Sequence, residues 1–207
     1  MQDWKNLNFL LPQTKEVLLK LISDNYLSNF VLVGGTGLAL HIQHRKSEDL
    51  DFFTFEKNRF ELKKIKTILE KLKGKIVNVS DEQVDVLIDG VKVTFFDARW
   101  SFLKPKKVQI FNLATLEQLA ILKTNVLFLR AKYRDYYDLY YLVQRFGIKK
   151  IFEMSKDVIK GINFKIFAAA LICIDDIEDE NIDHLEPVQK LSLKDIQKFF
   201  EAELKKL

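Results

Sequence analysis

The chain has 207 residues, with 33 Lys+Arg against 29 Asp+Glu for a formal net charge of +4, and 48% of its residues are apolar, 17 of them Phe. That length and apolar content exclude intrinsic disorder and suit one domain or two small ones, while so mild a charge singles out no nucleic-acid partner. The longest apolar stretch, Ile166 to Ile174, is far short of the roughly 20 residues that span a bilayer; the start MQDWKNLNFLLPQTKEV lacks a signal peptide's basic and apolar regions; and the single Cys173 makes no internal disulfide, so the expectation is a cytoplasmic protein with no membrane partner.

Glycine and proline together make up only about 5% of the chain, which predicts long unbroken elements. Pro12 to about Ile22 reads as an opening helix and Phe30 to Val33 as a short strand. Three of the seven glycines, Gly34, Gly35 and Gly37, follow within four residues. A helix from about Thr36 to Gln43 comes next, so the unit is strand, turn, helix. Leu50 to Phe55 is the next strand, Arg59 to Leu72 an amphipathic helix ended by Gly74, and Lys75 to Ser80 a third strand. Gln83 to Ile88 and Val91 to Phe96 flank Asp89-Gly90, the turn pair of a tight hairpin.

After Pro105 the period changes. A helix from Thr115 to about Leu129, a second from about Lys132 to Arg145 stopped by Gly147, a buried helix over Phe164 to Ile174, and a last helix capped by Ser192 with Asp195 three positions on complete the chain. The boundary between an α/β half and a helical half is expected near residues 103 to 112, giving domains 1–108 and 109–207. The fold class is α+β.

The glycine cluster fits neither familiar phosphate motif. GGTGLALH has no Gly-Lys-Ser/Thr, and the position three after Gly37 is Leu40 where a dinucleotide fingerprint needs small residues. A strand that delivers Gly-Gly-Thr into a helix start still leaves backbone N–H groups and a positive dipole end for a phosphate; the alternative is a helix packed tightly on its strand. The following segment HRKSEDLDFFT places Asp49 and Asp51 on one face of a strand by period-two alternation, with Leu50 and Phe52 inward. Two adjacent carboxylates suit Mg²⁺, which shares its coordination with water and nucleotide phosphates; the alternative is a strand end with two solvated acids. His41 and His44 lie three apart without a third ligand nearby, and with Arg45 and Lys46 they form either a basic rim near the phosphates or an ordinary solvated helix end.

The run GGTGLALHIQHRKSEDLDFFT resembles the first motifs of the nucleotidyltransferase (polymerase β-like) superfamily, in particular its AbiEii/AbiGii toxin-type branch. That resemblance implies a small mixed sheet flanked by helices, a helical C-terminal domain, Mg²⁺, a nucleoside triphosphate (NTP) donor, an RNA acceptor such as a tRNA end, and a toxin role beside an antitoxin protein. It puts Gly34, Gly35 and Thr36, with Arg45 and Ser47, on the nucleotide's side of the site and Asp49 and Asp51 on the metal. LEQLAILKTNVLFLRAKYRDYYDLYYLV resembles the later motifs, which makes Lys123 the phosphate contact and Asp138 the later polar residue. If the chain reverses near Arg130 and Ala131, an antiparallel helix pair brings Lys123 and Asp138 to one height, roughly 11 Å from the bend at 1.5 Å per residue. On the second helix Arg134 and Asp138, and Asp135 and Asp138, share a face; the alternative there is a surface ion pair beside a buried stripe of Tyr136, Tyr137, Tyr140 and Tyr141.

One departure stands out. Many nucleotidyltransferases carry a third carboxylate on a later strand, and here GVKVTFFDARW presents Thr94, with Asp97 at the strand's end and Asp85 on the hairpin's other strand. Two competing readings are a small-molecule, antibiotic-modifying transferase and a nucleotide-binding protein without turnover.

Overall fold

The computed structural model describes residues 4–56, 60–108, 111–178 and 180–207. The chain divides into two units, Met1–Thr115 and Leu116–Leu207.

In the first unit, α1 (Pro12–Ile22) starts on its proline and buries Thr14, Val17, Leu18, Leu21 and Ile22, a stripe at helical spacing. Strand β1 (Phe30–Leu32) is buried throughout and runs into α2 (Gly34–Ile42). Strand β2 (Leu50–Phe55) alternates buried and half-buried along its length, as the period-two reading expects. Helix α3 (Leu62–Lys71) buries Ile65, Ile68 and Leu69; the expected start at Arg59 lies outside the described residues. Strands β3 (Lys75–Val79), β4 (Gln83–Ile88) and β5 (Val91–Trp100) follow. The Asp89-Gly90 turn between β4 and β5 has positive φ at both positions, 48° and 81°, which is why that pair stands there.

Two short strands were not expected from the sequence, β6 (Lys106–Val108) and β7 (Phe111–Leu113). They complete a seven-stranded sheet of order β3-β4-β5-β2-β1-β7-β6. Because β7 pairs in parallel with β1, the first unit extends to Thr115, beyond the 103 to 112 boundary expected from composition. The pairs β2/β5 and β1/β7 are parallel and the others antiparallel, so the sheet is mixed. One face carries Leu50, Phe52, Val84, Val86, Val93 and Phe95, packed with α1 and α3 residues into a single core. Alternation then assigns Asp51, Asp85 and Thr94 to the opposite face.

The second unit holds α4 (Leu116–Leu127), α5 (Tyr133–Phe146), α6 (Ile148–Ser155), α7 (Phe164–Ile172) and α8 (Leu193–Leu204). Helix α4 packs on α5 and α6, and α8 on α5 and α7. Gly147, expected only to stop α5, also opens α6. Helix α7 corrects the expectation of a buried helix. Only Phe167 and Leu171 are buried, while Phe164 and Ile166 are exposed, because α7 offers a narrow stripe to the bundle. Helix α8 has the expected reciprocal cap: Ser192 Oγ accepts from Asp195 N at 3.2 Å and Asp195 Oδ2 from Ser192 N at 3.0 Å. No helix among the described residues is long and apolar enough to cross a membrane.

Candidate active site

The turn between β1 and α2 explains its own glycines. Gly34 has φ +66°, and a Cβ built there would lie 2.1 Å from Asp51 Oδ2, so the Asp51 carboxylate occupies the space that any side chain at 34 would need. At Gly35 a Cβ would lie 2.7 Å from Arg45 Nη2. The two glycines therefore admit a carboxylate on one side and a guanidinium on the other. Val33 N donates to Asp51 O at 2.9 Å, which fixes the turn to the strand bearing the acid.

The loop from Gln43 to Asp49 is held by its carbonyls. Arg45 Nη1 donates to Lys46 O at 2.9 Å, Leu11 N to Ser47 O at 3.2 Å, and Thr14 Oγ1 to Glu48 O at 2.9 Å. Thr36 Oγ1 donates to Asp49 O. That hydroxyl has one proton, so its 2.8 Å contact with Ser47 Oγ is one in which Ser47 donates. Four successive carbonyls, 46 to 49, are thus pinned before Asp49 and Asp51 are presented, both half-exposed. His41 Nε2 donates to Ala114 O at 2.8 Å and ties α2 to the end of the first unit.

These contacts revise part of the sequence reading. Thr36 is 0% exposed and its hydroxyl is engaged inside the protein, so only its backbone remains for a phosphate. Of the expected basic rim, His44 and Arg45 (4% exposed) are buried and only His41 and Lys46 are partly exposed; Arg45 folds back under the glycine turn, and Ser47 is buried as well. Sequence reasoning missed Thr14, whose only signal was a polar residue in the buried stripe of α1.

Asp97 faces the wrong way for a third carboxylate. It accepts from Thr54 Oγ1 at 2.9 Å, and Thr54 lies on the side of β2 occupied by Leu50 and Phe52, opposite to Asp51. Its other commitment is a two-point pair with Arg99, from Nε at 2.8 Å and Nη2 at 2.5 Å. Thr94 does stand opposite Asp51, in direct register across β2 and β5. Beyond these polar residues on the same side, Phe53, Phe96 and Trp100 form a half-buried aromatic cluster with centroids 5.1 Å and 5.9 Å apart in sequence.

The helical unit has its own constellation. Lys123 Nζ on α4 meets Asp135 Oδ1 at 2.8 Å and Asp138 Oδ2 at 2.7 Å, both on α5, as the antiparallel pairing expects. All three are buried, which replaces the surface ion pair with an internal one. Asp135 also accepts from Lys132 N at 3.2 Å at the helix start. Arg134 pairs with Glu180 at 3.2 Å. The tyrosines are structural, with Tyr133, Tyr136 and Tyr137 donating to the carbonyls of Leu191, Ala170 and Gln189.

Among the described residues no group of three or more His, Cys, Asp or Glu is arranged as a metal cage. The half-exposed pair Asp49 and Asp51 suits another kind of site. A hard cation that keeps several waters takes one or two carboxylates and completes its shell with phosphate oxygens, and the missing side chain at Gly34 lets the Asp51 carboxylate lie against the start of α2.

Residues 16–111 match the AbiEii family, described as nucleotidyl transferase AbiEii toxin, type IV TA system. An uncharacterized Aquifex aeolicus protein, aq_aa25, is 30% identical over 203 residues, covering 95% of this chain and 96% of that one. JHP933 from Helicobacter pylori has a similar structure, with a TM-score of 0.55 at 18% identity, 96% of this chain and 94% of that chain being covered. The nucleotidyltransferase toxin MenT4 from Mycobacterium tuberculosis gives a TM-score of 0.52 at 14% identity, with 95% and 86% covered. At such identities the last two speak to fold alone.

Proposed function

From the premise that the chain belongs to the AbiEii family of nucleotidyltransferase toxins and is a nucleotidyltransferase, we propose that it moves a nucleoside monophosphate from an NTP to an acceptor hydroxyl on RNA, such as a tRNA end. The observation that carries the reading is the packing of Asp51 Oδ2 into the space over Gly34, at the start of α2. It joins a carboxylate and a bare helix start at one point, which is what a metal-bound triphosphate requires.

In this reading the unit Met1–Thr115 is the catalytic domain and Leu116–Leu207 an accessory helical domain. The backbone at Gly34, Gly35 and Thr36 takes the β- and γ-phosphates, with the Arg45 charge beneath Gly35 favouring them. Asp49 and Asp51 hold Mg²⁺, which when bound would stabilise charge on the attacking and leaving oxygens. Ser47 and Thr36 keep the Asp49 backbone in place. Lys123 is held by Asp135 and Asp138 within the helical unit, and a phosphate contact is what the family resemblance assigns to it. The acceptor oxygen bonds to the α-phosphorus as the bridge to the β-phosphate breaks, the acceptor's proton passes to water, and pyrophosphate leaves. Phe53, Phe96 and Trp100 supply rings on which a base can stack. The setting is the cytoplasm, where NTPs are at hand, with an antitoxin protein as partner.

The test is incubation with each α-labelled NTP, Mg²⁺ and total RNA, beside aminoglycosides as alternative acceptors. Label on RNA that is lost in Asp51→Asn supports the reading. Label on an aminoglycoside alone overturns the RNA acceptor, and tight NTP binding without transfer overturns the enzymatic role.

A further inference from the structure

The strand expected to supply a third carboxylate supplies Thr94, and the residues around it account for that substitution. Asp51 on β2 is in register with Thr94 on β5, Thr94 with Asp85 on β4, and Asp85 with Asn78 on β3. Residues directly opposite one another on neighbouring strands point to the same side, so these four form one polar row across four strands, with Asp51 at the end nearest the glycine turn.

The row is hydrogen-bonded in one direction. Thr94 Oγ1 donates to Asp85 Oδ1 at 2.7 Å, while Asp85 Oδ2 accepts from Gln83 Nε2 at 2.8 Å and Asn78 Nδ2 at 3.5 Å. Asp85 is only 8% exposed and Thr94 only 9%. Burial pushes the Asp85 carboxyl up, but the hydrogen bonds from Thr94 and Gln83, the Lys92 charge and the Asn78 bond together hold it below the ordinary carboxylate range. At neutral pH it is an anion. The single Thr94 proton is committed to that anion, so toward Asp51 the hydroxyl oxygen presents lone pairs only, and the neighbouring charge makes it a stronger acceptor than a lone threonine.

Resting on the nucleotidyltransferase reading above, we propose that the third acidic function of this site is divided between two strands: Thr94 Oγ1 accepts a hydrogen bond from the attacking hydroxyl beside Asp51, and Asp85 is the positioning residue that fixes the Thr94 proton away from it. The role is one of orientation. It requires no proton to leave Thr94, and it leaves donor binding to the β1–α2 turn.

The closing experiment uses the full chain, a labelled NTP and the acceptor that takes label. It measures kcat, KM and equilibrium NTP affinity for Asp51→Asn, Thr94→Val, Thr94→Ser, Asp85→Asn, Thr94→Asp and Asp85→Asn/Thr94→Asp, with melting temperatures alongside. Removing a group that orients another commonly costs about 10- to 100-fold. Thr94→Val is expected to lower kcat by that factor with NTP affinity within about twofold of wild type, while Thr94→Ser, which keeps the hydroxyl, recovers most of the loss seen in Thr94→Val. Asp85→Asn keeps an acceptor but not the charge, so its loss is smaller than that of Thr94→Val. Thr94→Asp sets a carboxylate against Asp85 and loses activity, and adding Asp85→Asn restores it; this rescue decides the matter should Thr94→Val not fold.

Wild-type kcat in Thr94→Val and Asp85→Asn, with Asp51→Asn inactive, would overturn the divided acid and leave the transferase reading intact. Parallel losses of kcat, NTP affinity and melting temperature, without rescue in the double variant, reduce the pair to a structural contact and also overturn it. If the wild-type chain transfers nothing to any acceptor, the transferase reading fails and the proposal falls with it.

Discussion

The two units each bring acidic residues together, and they treat them in opposite ways. In the first, Asp49 and Asp51 stay half-exposed while their backbone is held rigidly by Thr36, Val33 and the pinned carbonyls of the preceding loop. In the second, Asp135 and Asp138 are buried against Lys123, with Asp138 0% exposed. A fixed backbone under partly exposed carboxylates holds them where a cation can reach them. Buried carboxylates close on a lysine spend most of their charge on one another, and separating them is expensive. The difference predicts that variants in the first unit act on turnover and those in the second on folding.

The largest effect is expected for Asp51→Asn. Losing a ligand that stabilises transition-state charge removes several kcal/mol, which is about 10³-fold in kcat, whereas the half-exposed position leaves the melting temperature within a few degrees of wild type. Single-turnover transfer from labelled NTP and a thermal melt check both halves. A large fall in stability would break the contrast between the units.

Lys123→Met tests the other side. It leaves Asp135 and Asp138 as buried carboxylates without the lysine, and removing one partner of a buried pair costs about 3–5 kcal/mol, to be read from urea unfolding. The triple variant Lys123→Met/Asp135→Asn/Asp138→Asn removes the stranded charges and should regain most of that stability. If transfer stays absent in the refolded triple variant, the group Lys123, Asp135 and Asp138 serves the chemistry as well as the helix pair; if transfer returns, its role is structural.

Gly34→Ala is smaller in stability. A side chain in the left-handed region costs roughly 1–2 kcal/mol, and here the new methyl group also displaces Asp51 Oδ2, built only 2.1 Å away. A fall in transfer comparable to Asp51→Asn, from a residue with no charge, would sharpen the claim that turn and carboxylate are one device.

Much of this was legible in the sequence. Period two in Leu50–Phe55 fixed which side Asp51 faces, Asp89-Gly90 identified the hairpin, and the equal distances of Lys123 and Asp138 from the bend anticipated their contact. What was hidden depended on partners remote in the chain. Arg45 reads as a surface cation because nothing local reveals that Gly35 leaves a slot for its guanidinium. The short strands Lys106–Val108 and Phe111–Leu113 are too brief for a periodic signal and exist because β1 offers an edge to pair with. Thr94 and Asp85 gained meaning only when strand register put them in one row with Asp51.

The smallest effect expected is for Tyr136→Phe, in the unit where polar groups serve folding. Its hydroxyl donates to Ala170 O at 2.9 Å, and a lost intramolecular hydrogen bond of this kind is worth about 1 kcal/mol. Burial is the main cause that pushes the Tyr136 phenol up to about 12, with the charges of Cys173 and Asp135 adding to it. In the unfolded chain the phenol ionises near its ordinary value of about 10. Between those values the unfolded state releases the proton and the folded state keeps it, so the stability present below pH ~10 is lost as pH rises toward about 12. Tyr136→Phe removes that term, and urea unfolding across this range should show a shallower alkaline decline than in wild type, with transfer at neutral pH unchanged. A decline as steep as that of wild type would mean that other phenols, Tyr141 first among them with its own pushed up by partial burial, set the alkaline limit of the helical unit.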